Sequence, residues 1–459
     1  MSLVIGLIVL VIASVLFHFL SPWWLTPIAS HWDTVDVTID ITFWVTGFVF
    51  VVINGFMAYA IYKFRYKKER RATYEPENKK LEWWLTAVTA IGVAAMLAPG
   101  LWVWADFVSP PEDAMIVEAT GQQWHWSFRF PGEDGVLGSV DNSNITDENP
   151  FGMNPDDPNG QDDILIASPE VHLPLGVPVK ALLRSKDVLH NFTVTQFRVK
   201  MDLVPGLISY QWFTPTVAGR YELLCEELCG IGHHTMRGHV VVEEQEAFDK
   251  WLDAQPTYAE ILAKAPGDPS AGASLYAVCT ACHGAQGEGN PLLNAPKLAG
   301  QGAWYMKRQL EYFKKGIRGS HELDIYGQQM APMAAVLADE KAVNDVVAYI
   351  ETLPDLPAIS TVMGDVEHGE DVYETCAYCH GAQGEGIQAL NAPRQAGMSD
   401  WYLVTQLKNF KKGVRGQHPG DGYGPQMGLM ANILLDDQTI NDLVAYINTL
   451  EIEDAPASK

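Results

Sequence analysis

The sequence predicts a multidomain chain: membrane-spanning helices at the N-terminus, then an all-β sandwich, then two copies of a small all-α domain. Three observations predict it. Residues 2–20, 37–62 and 81–107 are near-continuous apolar runs, each close to or above the roughly 20 residues a helix needs to cross a bilayer. Short stretches between residues 115 and 242 alternate apolar and polar side chains, with Gly and Pro at the turns. Beyond residue 270 the chain repeats itself at a constant offset of 97 positions. At 459 residues, several domains are expected.

The apolar runs fix a topology. The loop between the second and third holds Lys63, Arg65, Lys67, Lys68, Arg70, Arg71, Lys79 and Lys80. Such a cluster marks the cytoplasmic side, so everything after Phe107 lies outside the cytoplasm. The first run, within residues 1–36, reads either as a retained helix or as a cleaved signal. A signal needs a basic start and a shorter apolar core. No Lys or Arg precedes Lys63, which favours a helix additional to the hairpin of residues 37–107. The spans make lipid a partner. The net charge of −25 disfavours nucleic acid and would attract a basic protein, although a plain solvated acidic face explains it equally well.

Residues 108–252 form the β unit, with strands expected over 115–119, 124–130, 177–183, 191–199 and 240–242. The stretch 131–163 interrupts it as an acidic insertion rich in Asp, Asn, Gly and Pro. Its aspartates suggest a calcium loop only faintly, because their spacing fits no standard ligand pattern. A linker is expected at 253–268, a first α domain at 269–355, a second linker at 356–365, a second α domain at 366–453, and a tail at 454–459. Both α domains close in helical periodicity, at 343–353 and 440–450. Gln309, Arg318, Tyr326, Met330 and Met333 recur as Gln406, Arg415, Tyr423, Met427 and Met430.

All six cysteines fall into redox-site patterns. Cys279 and Cys282 precede His283, and Cys376 and Cys379 precede His380; each run reads as covalent c-type haem attachment, with the histidine as iron ligand. Two copies at matched positions on the exported side leave little room for a zinc or dithiol reading. A sixth iron ligand is needed, and methionine is common. Each repeat offers two, Met330 or Met333 and Met427 or Met430, which the repetition cannot separate. The third pattern, C-E-E-L-C-G-I-G-H-H-T-M, holds Cys225, Cys229, His233 and Met236. Two thiolates four residues apart suit a pair of copper ions, with His190 on a preceding strand as a second imidazole. A structural Cys2His2 zinc site is the alternative, and it has little use for the methionine.

At these residues two resemblances appear. The repeats resemble tandem class I cytochromes c, in particular the dihaem cytochrome c4 group, through C-H-G-A-Q-G-E-G at 282–289 and 379–386, the Ala-Pro that follows, K-L-A-G-Q at 297–301 and the Met-rich stretch before the last helix. That resemblance implies Met330 and Met427 as axial ligands, each seven residues before a leucine, Leu337 or Leu434. Residues 37–244 resemble subunit II of haem–copper cytochrome c oxidases, through Q-W-H-W at 123–126, D-V-L-H at 187–190, F-R-V-K-M-D-L-V-P-G at 197–206 and the cysteine motif. It implies a cupredoxin-like fold and a binuclear copper centre, CuA, held by His190, Cys225, the carbonyl of Glu227, Cys229, His233 and Met236. It also implies a magnesium ion shared with subunit I through the Glu227 side chain. Trp124 would be the residue through which electrons reach copper. Glu82 would stand at the mouth of a proton pathway, though a carboxylate at a helix start is favourable anyway.

The chain is therefore expected to be subunit II of a caa3-type oxidase with a fused dihaem cytochrome c, in a bacterial inner membrane with its soluble domains on the outer face. Subunits I and III would be its partners, and a cytochrome or quinol-oxidising complex its external donor. The oxygen site would lie in subunit I, because the three apolar runs hold only His18. A CuA-type nitric oxide reductase subunit and a membrane-anchored carrier with no catalytic partner are the alternatives. His125 departs from the family, which usually has Tyr there, and leaves the geometry around Trp124 open. The short linker after Gln255 suggests that the first cytochrome domain is the neighbour of copper and that the second faces the donor.

Overall fold

A computed structural model describes residues 1–21, 26–71, 74, 76–146 and 149–451. The expected tail at 454–459 lies outside the described residues.

The apolar runs form α1 (Ser2–Leu20), α2 (Asp33–Lys63) and α3 (Lys79–Phe107), each long and apolar enough to cross a membrane. α1 packs along α2, and α2 along α3. Side chains such as Trp44, Phe48 and Trp102 point outward, a surface that suits lipid or a partner helix. The Asn78 side chain caps α3 by accepting from the Leu81 N–H at 3.1 Å.

The segment entering α2 is strapped to the β unit. Trp32 is fully buried, and its Nε1 donates to the Trp212 carbonyl at 2.9 Å. Ser30 donates to the Phe197 carbonyl at 2.8 Å. Arg198, left-handed at φ 63°, reaches Asp36 at 2.7 Å. At the other end of the hairpin, Trp212 Nε1 donates to the Asp106 carbonyl at 3.1 Å. These contacts bring the ends of α2 and α3 to one side of the sandwich, as the charge pattern requires.

The sandwich has two five-stranded sheets. One runs β3 (Ile164–Ile166), β2 (His125–Phe130), β1 (Met115–Gln122), β5 (Val179–Ser185), β8 (Ser209–Phe213). The other runs β4 (Glu170–Pro174), β10 (Arg237–Glu243), β9 (Gly219–Leu224), β6 (His190–Thr193), β7 (Lys200–Leu203). Trp126, Phe128, Leu173, Leu183, Phe192 and Val240 lie in the core between them. The strand expected over 191–199 ends at Thr193, because Thr195–Phe197 forms a 3-10 turn into the left-handed Arg198. The acidic insertion is pinned from below. Buried Arg129 donates to Asp163 at 2.7 Å, Glu118 at 3.1 Å and the Gly138 carbonyl at 2.7 Å. Burial pushes the Asp163 carboxyl up to about 6 against the pull of Arg129. Asp141 and Asp157 accept local backbone and serine hydrogen bonds within the insertion.

After α4 (Gln245–Leu252), the stretch expected as a linker contains α5 (Tyr258–Ala263), closed at its start by a Thr257–Glu260 capping box. Tyr258 is buried against Met153 and Leu165, and its N–H donates to the Asp163 carbonyl at 2.9 Å. So the chain stays attached to the sandwich before it enters the repeats.

The first repeat comprises α6 (Pro269–Tyr276), α7 (Thr280–His283), α8 (Ala303–Lys314), α9 (Ile325–Ala334) and α10 (Glu340–Glu351). The second comprises α11 (Val366–His380), α12 (Asp400–Lys411), α13 (Gly424–Ala431) and α14 (Asp437–Ile447). The first and last helices of each repeat cross at a glycine. A Cβ on Gly272 would lie 1.9 Å from the Asp345 carbonyl oxygen, and one on Gly369 2.1 Å from that of Asp442. The recurrence of Gln and Arg has a structural reason. Arg318 donates to Gln309 at 2.7 Å and to Tyr402 and Gln406 of the other repeat. Arg415 mirrors it, reaching Gln406 at 2.8 Å, Tyr305 at 2.9 Å and Gln309 at 2.8 Å. This near-twofold network joins the repeats into one unit.

Candidate copper centre and haem pockets

β6 delivers His190, and the loop between β9 and β10 delivers Cys225, Glu227, Cys229, His233 and Met236. All six come together. The two Sγ atoms are 3.7 Å apart. Cys225 Sγ lies 3.9 Å from His190 Nδ1 and 3.2 Å from the Glu227 carbonyl oxygen. Cys229 Sγ lies 3.4 Å from His233 Nδ1 and 3.9 Å from Met236 Sδ. His190, Cys225, Cys229 and Met236 are all buried. Asp187 accepts from His190 Nε2 at 2.8 Å, which turns Nδ1 toward the sulfurs. Cys229 and His190 hydrogen-bond Cys225 and hold its thiol well below the usual range, while Cys229 is pushed up as the partner that keeps the proton. The donor set is soft sulfur plus imidazole, and it fits copper. His234, next to His233, is exposed.

Each repeat presents its histidine in the same way. His283 and His380 are buried, and their Nδ1 atoms lie 2.7 Å from the carbonyls of Pro296 and Pro393. A carbonyl can only accept, so Nδ1 carries the proton and Nε2 is left to face the pocket as a ligand. The Ala-Pro that recurs in the sequence thus serves as the histidine's anchor. One cavity runs through both repeats, lined by both Cys-Cys-His sets and by Met330, Met333, Met427 and Met430. It contains the buried Nε atoms of Arg308 and Arg318, which have no hydrogen-bond partner among the described residues. Apolar walls, paired thiols, an oriented imidazole and free guanidinium donors for carboxylates fit haem c.

That cavity extends to Trp124 and Thr235 of the sandwich. The second repeat, not the first, sits on the rim of the copper loop. The Tyr378 ring lies edge-on to Trp124, centroids 6.5 Å apart. Gln426 donates to the Trp124 carbonyl at 3.0 Å. Tyr423 donates to the Ala167 carbonyl at 2.9 Å and stacks on His125 at 5.0 Å. Gln122 donates to the Ala389 carbonyl. The expected order of domains is therefore reversed. The physical reason is that α5 holds the linker against the sandwich, and the dihaem unit folds back to cover the Trp124 rim. On the copper side, Trp124 Nε1 donates to the Cys229 carbonyl at 3.1 Å. Glu82 lies far along the chain from these residues, exposed at the start of α3, where its carboxylate accepts from the Asn78 N–H at 3.4 Å. The Glu227 side chain is half-buried.

The comparisons agree with this architecture. The family described as cytochrome c oxidase subunit II, periplasmic domain, matches residues 115–244, and the cytochrome c family matches 269–354 and 366–451. An alternative cytochrome c oxidase subunit 2 of Bradyrhizobium diazoefficiens is 56% identical over 259 residues, covering 56% of this chain and 94% of that protein. The chain belongs to the cytochrome c oxidase subunit 2 family. A subunit 2 of Cereibacter sphaeroides is 29% identical, covering 46% of this chain and 74% of its own. A cytochrome c4 of Pseudomonas aeruginosa is 35% identical over 162 residues, covering 34% of this chain and 76% of its own. This subunit 2 thus carries a cytochrome c4-like fusion, and the domains imply copper in the sandwich and haem c in each repeat.

Sequence reasoning missed Tyr378, Gln426, Tyr423 and Ala389, which make the junction. His125 gave a signal, as a departure from the family at the rim.

Two outcomes are expected. Cys229→Ser should remove copper, read by metal analysis and the loss of its visible absorption, while both haems stay attached; retained copper, or zinc in the unsubstituted protein, would contradict the assignment. The second concerns pH. Burial lowers His125 to about 4, with the Ala167 carbonyl opposing and Lys186 and Arg308 adding to the shift. The docked state therefore favours the neutral ring. Its contribution is complete above the unperturbed value of about 6.5 and falls away as pH drops toward 4. Copper reduction by the second repeat should slow across that window. In His125→Phe, which keeps a ring against Tyr423, the dependence should vanish; an unchanged profile would count against His125 as its source.

Proposed function

We propose that the chain is subunit II of a caa3-type oxidase in a bacterial inner membrane, with its copper and cytochrome domains on the outer face. Subunit I, with subunit III beside it, would reduce O2 to water and pump protons. When bound, the haems and the copper pair supply one-electron chemistry, in the order first repeat, second repeat, sandwich. The observation that carries this order is the junction at Trp124.

The chain's own residues do the positioning. The Pro296 and Pro393 carbonyls orient His283 and His380, which with Met330 and Met427 would hold the haem irons. Asp187 orients His190. Cys225 and Cys229 would hold the copper, with His190, His233, Met236 and the Glu227 carbonyl completing the set. Trp124 joins the two sides, since its ring meets Tyr378, which stands between Cys376 and Cys379 of the second repeat, and its Nε1 binds the carbonyl of Cys229. At 5% exposure Trp124 offers little surface to an outside carrier. Glu82 would take protons toward subunit I, and the Glu227 carboxylate would hold magnesium at that interface.

Tyr378→Ala combined with Gln426→Ala tests the order. Losing the ring contact and one hydrogen bond weakens docking by about 1–2 kcal/mol. Stopped-flow traces should show slower copper reduction with both haems reduced at their normal rate. Unchanged copper reduction would place the transfer elsewhere.

A further inference from the structure

The two repeats share a fold but cover different faces, and the difference singles out a surface on the first. In the second repeat the docked face presents Tyr378, Ala389, Gly422, Tyr423 and Gln426 to the sandwich. The offset of 97 carries these to Ala281, Leu292, Ile325, Tyr326 and Gln329. The substitutions follow a pattern. Where the covered face has Ala389 and Gly422, the other has Leu292 and Ile325. Gly422 permits close approach, since a Cβ there would lie 3.0 Å from Pro169. Leu292 is 90% exposed and Ile325 60%. Val278 and Leu293 flank them, exposed to about half, and both line the haem cavity. Cys282, in the same cavity wall, is exposed too.

We propose that Val278, Leu292, Leu293, Ile325 and Tyr326 form the docking surface for the external electron donor, a small mono-haem c-type cytochrome with an apolar rim around its haem edge. Three observations carry this. The equivalent face of the second repeat is already seated on a redox domain. Val278, Leu293 and Tyr326 line the cavity, and the exposed Leu292 and Ile325 each adjoin one of them in the chain. No Lys or Arg belongs to the surface, and the repeat is nearly balanced, with nine acidic and seven basic residues between 269 and 355. Contact at the patch is therefore apolar, while the chain's net charge of −25 draws in a partner with a basic periphery. In the transfer the ferrous donor gives up one electron and leaves as ferric; the first repeat's haem takes that electron, and no atom or proton moves. The inference rests on the proposed order, in which the second repeat serves copper and the first is left for the donor.

The test uses the intact oxidase and stopped-flow mixing with ferrous mitochondrial-type cytochrome c, and separately with hexaammineruthenium(II), which needs no docking surface. Leu292→Glu and Ile325→Glu should each lower the bimolecular rate with cytochrome c at least about tenfold, because a charge replaces buried apolar contact. Leu435→Glu, at an equally exposed leucine outside this face, should not. The ruthenium rate should stay unchanged in all three, which also shows that the haems are intact. Leu292→Ser provides a milder variant and should show a smaller loss in the same direction. Unaltered cytochrome c rates in the Leu292 and Ile325 variants would overturn the inference. So would a reduced blue-copper protein that depends on Leu292 where cytochrome c does not. If copper stays oxidised after the haems of the unsubstituted protein are reduced, the proposed order fails instead, which is a different result.

Discussion

Trp124 is held from two sides, and the placement of the redox domains depends on that hold. Its indole N–H binds the carbonyl of Cys229, and its ring meets Tyr378. The first contact fixes the indole to the sulfur loop. The second is possible only if a whole cytochrome domain lies on the rim. Gln426, Tyr423 and the Ala389 carbonyl add polar contacts around the ring, and His125 adds a stacked surface. An aromatic contact ringed by satisfied polar groups combines apolar burial with orientation. Tethering then raises the local concentration of the second repeat at the rim far above that of any free carrier.

The dihaem unit adds a second constraint. Arg318 and Arg415 each bind glutamine of both repeats and a tyrosine of the other, so the two pockets hold one relative orientation. Docking the second repeat consequently sets where the first repeat points. On the first repeat, Leu292 and Ile325 are exposed where the second repeat has Ala389 and Gly422 against the sandwich. A near-symmetric pair with one face covered and one face open has a direction built into it.

Much of this was legible in the sequence, and the legible parts share a cause. Ligand spacing is local chemistry, so the cysteine motifs and the histidines that follow them named the residues that the fold gathers. Apolar length set the three helices within a few residues. The 97-residue offset exposed the duplication, although not the reason for the recurring Pro296 and Pro393, which is a hydrogen bond to an imidazole. Short strands such as β3 and β7 carried too few residues to show alternation. The domain order was not legible. It depends on α5, whose Tyr258 buries itself beside an insertion over a hundred residues earlier, and on a rim contact between residues 254 positions apart in the chain, Trp124 and Tyr378. Linker composition gave no sign of either.

The most direct measurement is hydroxyl-radical footprinting of Trp124 in the assembled oxidase, with the full chain and with a chain ending at residue 355. Capping by the second repeat predicts a Trp124 protected in the full chain and readily oxidised in the shortened one, with the core residue Trp126 protected in both. Equal oxidation of Trp124 in the two would contradict it.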